Sequence, residues 1–200
     1  GDLLDWGCTR LGCPINEFYG QTECNLVIST CHQAMEIRPG TMGGAVPGHD
    51  VAILDADGRP VPDGETGEIC VRAPDPVMFL GYWNRPEETA RAYDADGWFH
   101  TGDVGYLDDD GFLYIVDRMK EIIIRGGENI YPTEIENRIE LHPDVAEVAV
   151  HGVDDRELGQ RVKAVVVPNA GADPSVANRW GRTPLHVAAR RGCAAVATLL

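Results

Sequence analysis

The chain has 200 residues, is 44% hydrophobic and 24% charged, and carries a formal net charge of −15. That length allows one or two domains with a real core, and the composition is that of a globular chain. Such acidity argues against nucleic acid or an anionic membrane as partner. The charge is uneven. Residues 175–200 hold Arg179, Arg182, Arg190 and Arg191 and no acid, which leaves −19 on the remainder and marks a boundary near 175. No apolar run approaches the roughly 18 residues of a membrane span. No basic-then-apolar leader opens the chain, and the cytoplasm is the expected compartment. Cys8, Cys13, Cys24, Cys31, Cys70 and Cys193 show no CxxC pair and no histidine at zinc-ligand spacing. They read as reduced thiols.

In chain order, residues 2–11 (DLLDWGCTRL) read as the end of a helix with Leu3, Leu4, Trp6 and Leu11 on its apolar side. Pro14–Phe18 reads as a short strand feeding Tyr19-Gly20-Gln21-Thr22-Glu23. A glycine turn followed by a hydroxyl and a carboxylate is suited to phosphate: the backbone approaches closely, Thr22 donates, and Glu23 can hold a divalent cation. A plain surface turn is the alternative.

Residues 40–116 carry short strands and tight turns. Val51–Leu54 and Arg59–Val61 flank Asp55-Ala56-Asp57-Gly58 as a hairpin, and Glu68–Arg72 alternates as a half-buried strand. The spacing predicts a small barrel or sandwich. One helix interrupts it, with Asn84 as N-cap, Pro86 in the first turn and Glu87 in a capping box. The Asp-rich turns lack the alternating acids of a calcium loop and read as turns.

The stretch from Gly97 to Glu136 organises the rest. Asp103 follows a Thr-Gly turn, and Asp108-Asp109-Asp110-Gly111 forms a hairpin tip. A strand then ends in Asp117-Arg118. An aspartate and an arginine on neighbouring strand ends suit a polyhydroxyl ligand, the carboxylate accepting from two hydroxyls and the guanidinium donating to oxygens. A structural ion pair is the alternative. Ile122–Ile124 reads as a buried strand, Arg125-Gly126-Gly127-Glu128 as a turn, and Tyr131-Pro132 as the lead into a helix through Glu140 with Ile135 and Ile139 inward. Strands at Val145–Val150 and Val162–Val167 follow.

HTGD at 100–103, VDRMKEII at 116–123 and GGENIYPTEIE at 126–136, in that order, resemble the adenylate-forming (AMP-binding) enzymes. Within them the match is to acyl-CoA synthetases rather than to peptide-synthetase adenylation domains. The resemblance covers residues 1 to about 172. It implies an α+β chain: residues 1–118 as the end of the large domain, with a distorted β-barrel at about 40–116, then a truncated α+β lid at 119–172. It also implies a reaction, carboxylic acid plus ATP giving acyl-AMP, then CoA giving the thioester, with Mg2+ as metal. By the same resemblance Tyr19, Gly20, Gln21 and Thr22 contact the nucleotide, Thr22 and Glu23 are catalytic, and Glu23 binds the metal. Asp103 and Arg118 take the ribose hydroxyls and Ile115 the adenine. Lys120 is the hinge, and Arg125, Gly126 and Gly127 line the pantetheine tunnel. His100 is not assigned as a base, since the attacking carboxylate needs none.

After the linker 168–174 the resemblance stops. Gly181-x-Thr183-Pro184-Leu185-His186-x-Ala188-Ala189-x-x-Gly192 resembles a single ankyrin repeat, so residues 175–200 are expected as a helical repeat open to a protein partner. The family's Gly/Ser/Thr-rich phosphate loop and terminal lysine do not occur in these 200 residues, and the piece alone is expected to make no acyl-CoA. The alternative is an ankyrin-type interaction protein carrying a relic adenylating segment.

Overall fold

Helix α1 (Asp2–Leu11) leads into a hairpin of β1 (Phe18–Gln21) and β2 (Asn25–Ser29), to which β3 (Gly44–Ala45) adds a short third strand. These coordinates come from a computed structural model that describes residues 2–169, divided between Ile115 and Val116 into two compact units. The expected strand at 14–18 begins only at Phe18, so the motif itself lies in the hairpin, with Thr22–Cys24 as its tip. Gly20 stands opposite Leu26 at a bulge, and a β-carbon there would come within 1.7 Å of the Asn25 carbonyl oxygen. Only glycine fits so close a backbone approach.

A second sheet runs in the order β4 (Val51–Leu54), β5 (Gly67–Arg72), β6 (Trp98–Leu107), β7 (Leu113–Arg118), the division between the units falling within β7. The distorted barrel expected over 40–116 is not closed by these strands alone; their sheet is open. Met42 N donates to Leu113 O and Leu113 N to Gly43 O, which ties the run before β3 to the β7 edge and joins the two sheets there. The core lies between them: Tyr19, Cys24, Val27, Ile28, Ile53, Ile69, Val71, Phe99 and Leu113 pack together, with Phe79 and Tyr93 alongside. Because Cys70 and Trp98 pack with Leu54 on the other face of the sheet, β5 does not alternate. Ile69, Cys70 and Val71 are all buried.

One local expectation changes and one holds. The helix α2 (Pro86–Arg91) takes Arg85 as its N-cap, not Asn84, because Asn84 adopts φ +53° and turns the chain into the helix. No side chain caps it; Thr89 Oγ1 instead accepts from Tyr82 N and donates to Arg85 O. Asp55–Gly58 does turn the chain as expected, with Asp55 Oδ1 accepting from Asp57 N and Arg59 N, and these bonds hold its carboxyl below the usual range.

In the second unit a short 3-10 turn (Met119–Glu121) precedes β8 (Ile123–Arg125) and β9 (Glu128–Ile130). Gly126 (φ +60°) and Gly127 (φ +89°) supply the two positive angles of a two-residue hairpin between them. Helix α3 (Pro132–Glu140) packs Ile139 and Ile135 against a four-stranded sheet of order β10 (Val145–Asp155), β11 (Gly159–Pro168), β8, β9. Ile122–Ile124 is not a buried run: Ile123 is buried, while Ile124 alternates to the open face and is exposed. The β10–β11 ladder runs five residues beyond Val150, through polar His151–Asp155, to a turn in which Asp155 Oδ1 accepts from Glu157 N and Leu158 N. No helix among the described residues is long and apolar enough to cross a membrane. The ankyrin-like reading falls on residues outside those described.

Candidate functional site

The β1–β2 hairpin and β6 converge on Asp103, which is 6% exposed in the middle of β6. Tyr19 Oη donates to Asp103 Oδ2 at 2.9 Å and Gln21 Nε2 donates to the same oxygen at 2.6 Å. Gln21 Nε2 also reaches Thr101 O at 3.0 Å, while Thr101 Oγ1 donates to Ile69 O and accepts from Asp103 N. Both strands are irregular here, with a register shift at Tyr19/Gly20 on β1 and a left-handed Gly102 (φ +74°) between Thr101 and Asp103 on β6, so the grouping comes from these local bends and the hydrogen bonds. Burial, together with the adjacent Asp103 charge, pushes the Tyr19 phenol well above its ordinary range, so it stays a donor to the carboxylate.

Tyr19 is itself only 6% exposed and belongs to the core. Thr22 is exposed at the hairpin tip, next to Glu23, whose Oε1 accepts from Tyr82 Oη at 3.0 Å. Glu23 O further accepts from Phe79 N, which moors the loop 77–83 to the tip. An oriented carboxylate beside an exposed hydroxyl is a donor set that fits Mg2+, which commonly takes one or two protein carboxylates and completes its shell with water and phosphate. Ile115 on β7 is 43% exposed, an apolar surface near the end of the first unit.

The structure adds residues that the sequence reading left out. Glu68 Oε1 accepts from Gly102 N at 2.9 Å and its Oε2 lies 2.7 Å from His100 Nδ1, so β5 holds the turn of the HTGD run from beneath. Asp117, 6% exposed, accepts from Arg118 N and from Thr133 N, the second residue of α3. That carboxylate occupies the positive end of the helix. Arg118, Lys120, Arg125, Gly126 and Gly127 all lie in the second unit: Arg118 ends β7, exposed Lys120 sits in the 3-10 turn, and the other three form the β8–β9 turn.

Comparison with known proteins gives this arrangement its family. Residues 2–83 match the profile of the AMP-binding enzyme, and residues 134–197 that of the AMP-binding enzyme C-terminal domain. The second match extends past position 175. A medium/long-chain fatty acid–CoA ligase of Mycobacterium tuberculosis is 41% identical over 188 residues, 92% of this chain and 32% of that protein. A fatty acid–[acyl-carrier-protein] ligase of Streptomyces coeruleorubidus is 40% identical over 86% of this chain and 34% of its own length. ATP-bound MatB from Rhodopseudomonas palustris superposes with a TM-score of 0.77 at 39% identity, over 86% of this chain and 34% of that one. The chain thus spans about a third of the length of the relatives it matches. With both profiles in their order along the sequence and this identity to ligases, the chain belongs to the AMP-binding, adenylate-forming enzymes.

Proposed function

We propose that the chain serves an ATP-dependent acid–thiol ligase, its first unit holding the nucleoside end of ATP. The observation that supports this most is the clamped Asp103 carboxylate, with Tyr19 and Gln21 both donating to Oδ2. A carboxylate fixed in this way is preorganised to accept from the two vicinal hydroxyls of ribose, and it needs no reorientation when the nucleotide arrives. Ile115 offers an apolar surface for the base, and Arg118 is assigned to the ribose with Asp103. Gly20 brings the backbone close, and the Thr22 hydroxyl donates to an α-phosphate oxygen.

In the first half-reaction a substrate carboxylate oxygen forms a bond to the α-phosphorus and pyrophosphate leaves. The nucleophile is already an anion, so the protein's work is positioning and charge stabilisation rather than proton removal. Glu23, oriented by Tyr82, is the residue that would hold Mg2+, which supplies charge neutralisation on the phosphates when bound. In the second half-reaction the CoA thiol sulfur attacks the acyl carbon, AMP leaves and the thiol proton passes to solvent. Lys120 is proposed as the hinge between the two steps, a role that asks for backbone freedom rather than side-chain chemistry. Gly126 and Gly127, bare of side chains, are proposed to leave room for the pantetheine arm beside Arg125.

The domain limits belong to the same proposal: a large-domain segment to 118 with a barrel completed around β4–β7, and a lid over 119–172. An ankyrin-type repeat at about 178–200, with a protein partner, is supported by the TPLHVAARRG string. The activity is tested by ATP–pyrophosphate exchange in the intact protein. Exchange that depends on an added carboxylic acid is expected. Its absence with short-chain, long-chain and aromatic acids alike would overturn the reading.

A further inference from the structure

Directly across the ladder from Cys70 stands His100, and Glu68 lies two residues before Cys70 on β5. The metal-binding atoms of the three side chains all fall within 4.8 Å of one another. The geometry points to a divalent-cation site of the zinc class, formed by Cys70 Sγ, His100 Nδ1 and Glu68 Oε2, with water as fourth ligand. It lies outside the nucleotide residues and does not rest on the proposed ligase activity.

Distance supports it first. His100 Nδ1 is 3.7 Å from Cys70 Sγ and 2.7 Å from Glu68 Oε2. Tetrahedral zinc, with bonds of about 2.0–2.3 Å, sets its donors about 3.3–3.7 Å apart. The sulfur–nitrogen pair already has that spacing. The carboxylate–nitrogen pair reaches it by a withdrawal of Glu68 of about half an ångström, within the play of a flexible side chain. A thiolate, an imidazole and a carboxylate together favour zinc over magnesium or calcium, which take oxygen donors.

The surroundings are those of a held site. Glu68 Oε1 is engaged by Gly102 N, which leaves Oε2 directed at the cluster. The far ring nitrogen, His100 Nε2, faces Asp94 Oδ2 at 3.7 Å, and Asp94 is anchored through Oδ1 by Trp98 N and Asp96 N. A carboxylate behind a histidine ligand is the usual second partner in zinc sites, where it orients the ring and strengthens it as a donor. The His100 side chain keeps 31% of its surface, so the cluster has a solvent side by which an ion can enter.

A reactive-cysteine reading of the same residues fails. Glu68 and Cys70 both address Nδ1, so the ring cannot relay a proton from one to the other. Cys70 is fully buried, and burial with the Glu68 and Asp94 charges pushes its thiol up to about 12. The sequence hid the site because its donors come from two strands thirty residues apart, with no metal-binding spacing in either.

The test uses the full chain with Cys8, Cys13, Cys31 and Cys193 changed to serine, freed of metal by chelator and titrated with Co2+ and then Zn2+. One equivalent of Co2+ is expected to bind with a thiolate charge-transfer band in the near ultraviolet, and Zn2+ to displace it and raise the melting temperature. Cys70→Ser is expected to lose the band, His100→Gln to weaken zinc at least tenfold, and Asp94→Asn to weaken it by about tenfold while keeping the band. Cobalt bound without the band, or zinc held as tightly by His100→Gln as by the parent, would overturn the site. Should Cys70→Ser fail to fold, as circular dichroism would show, the parent spectrum and the partly exposed His100 variant still decide.

Discussion

The two units build their candidate sites from different materials. In the first, Tyr19, Gln21, Thr101 and Asp103 form a largely buried hydrogen-bonded cluster whose bonded pairs are 80 to 84 residues apart. In the second, the candidates at 120 and 125–127 lie in turns, and the two glycines contribute backbone shape without a side chain. A site made of side-chain contacts depends on tertiary packing, and its geometry is lost when any partner is removed. A site made of backbone depends on local φ, ψ angles and tolerates change nearby. The contrast gives an order of sensitivity to substitution.

The largest effect is expected at Gly20. Its added β-carbon would strike the Asn25 backbone within the hairpin itself, so Gly20→Ala should destabilise by about 3 kcal/mol or more. Urea unfolding of the variant checks this, and a loss under 1 kcal/mol would mean the bulge rearranges freely. Next comes Asp117→Ala, which strips two backbone donors of their partner, one of them at the start of α3. About 1–2 kcal/mol should be lost, with Asp117→Asn recovering part of it. Amide exchange should localise the loss to α3; a uniform change across the chain would contradict the capping role. Smallest is Gly126→Ala. The angle is left-handed, but the nearest atom to a new β-carbon is Leu158 Cδ2 at 3.6 Å. The cost should be about 1 kcal/mol, set by strain alone and readable from the same urea curves. A loss equal to that of Gly20→Ala would show that the 126–127 turn is as tightly confined as the Gly20 bulge.

This distinction also explains what was legible in the sequence. The Gly126-Gly127 turn and the α3 helix are written in local signals, and both appear where those signals put them. The HTGD run likewise announces Asp103. What holds Asp103 is not written locally: nothing near residue 103 shows that Tyr19 and Gln21 donate to it. Where one short signal was read alone it misled. Asn84 has a capping residue's side chain, yet its positive φ makes it the turn before the cap. The Ile122–Ile124 run is apolar throughout, yet strand alternation exposes Ile124. The polar end of β10 gave no strand signal, because its pairing with β11 is carried by backbone bonds. Glu68 and the Cys70–His100 pair have no local signal either, since both act across strands.

In the proposed function the clamped Asp103 carboxylate is the ribose acceptor. Its most direct test is a calorimetric cycle that compares ATP with 2′,3′-dideoxy-ATP on the parent and on Asp103→Ala. Hydrogen bonds to a charged group contribute about 1.5–3 kcal/mol, so the parent should bind the dideoxy nucleotide roughly tenfold to a hundredfold more weakly. The Asp103→Ala variant, confirmed as folded, should bind the two nucleotides with nearly equal affinity. The same preference for ATP in parent and variant would show that Asp103 does not read the ribose, and the clamp would then be only a structural joint between β1 and β6.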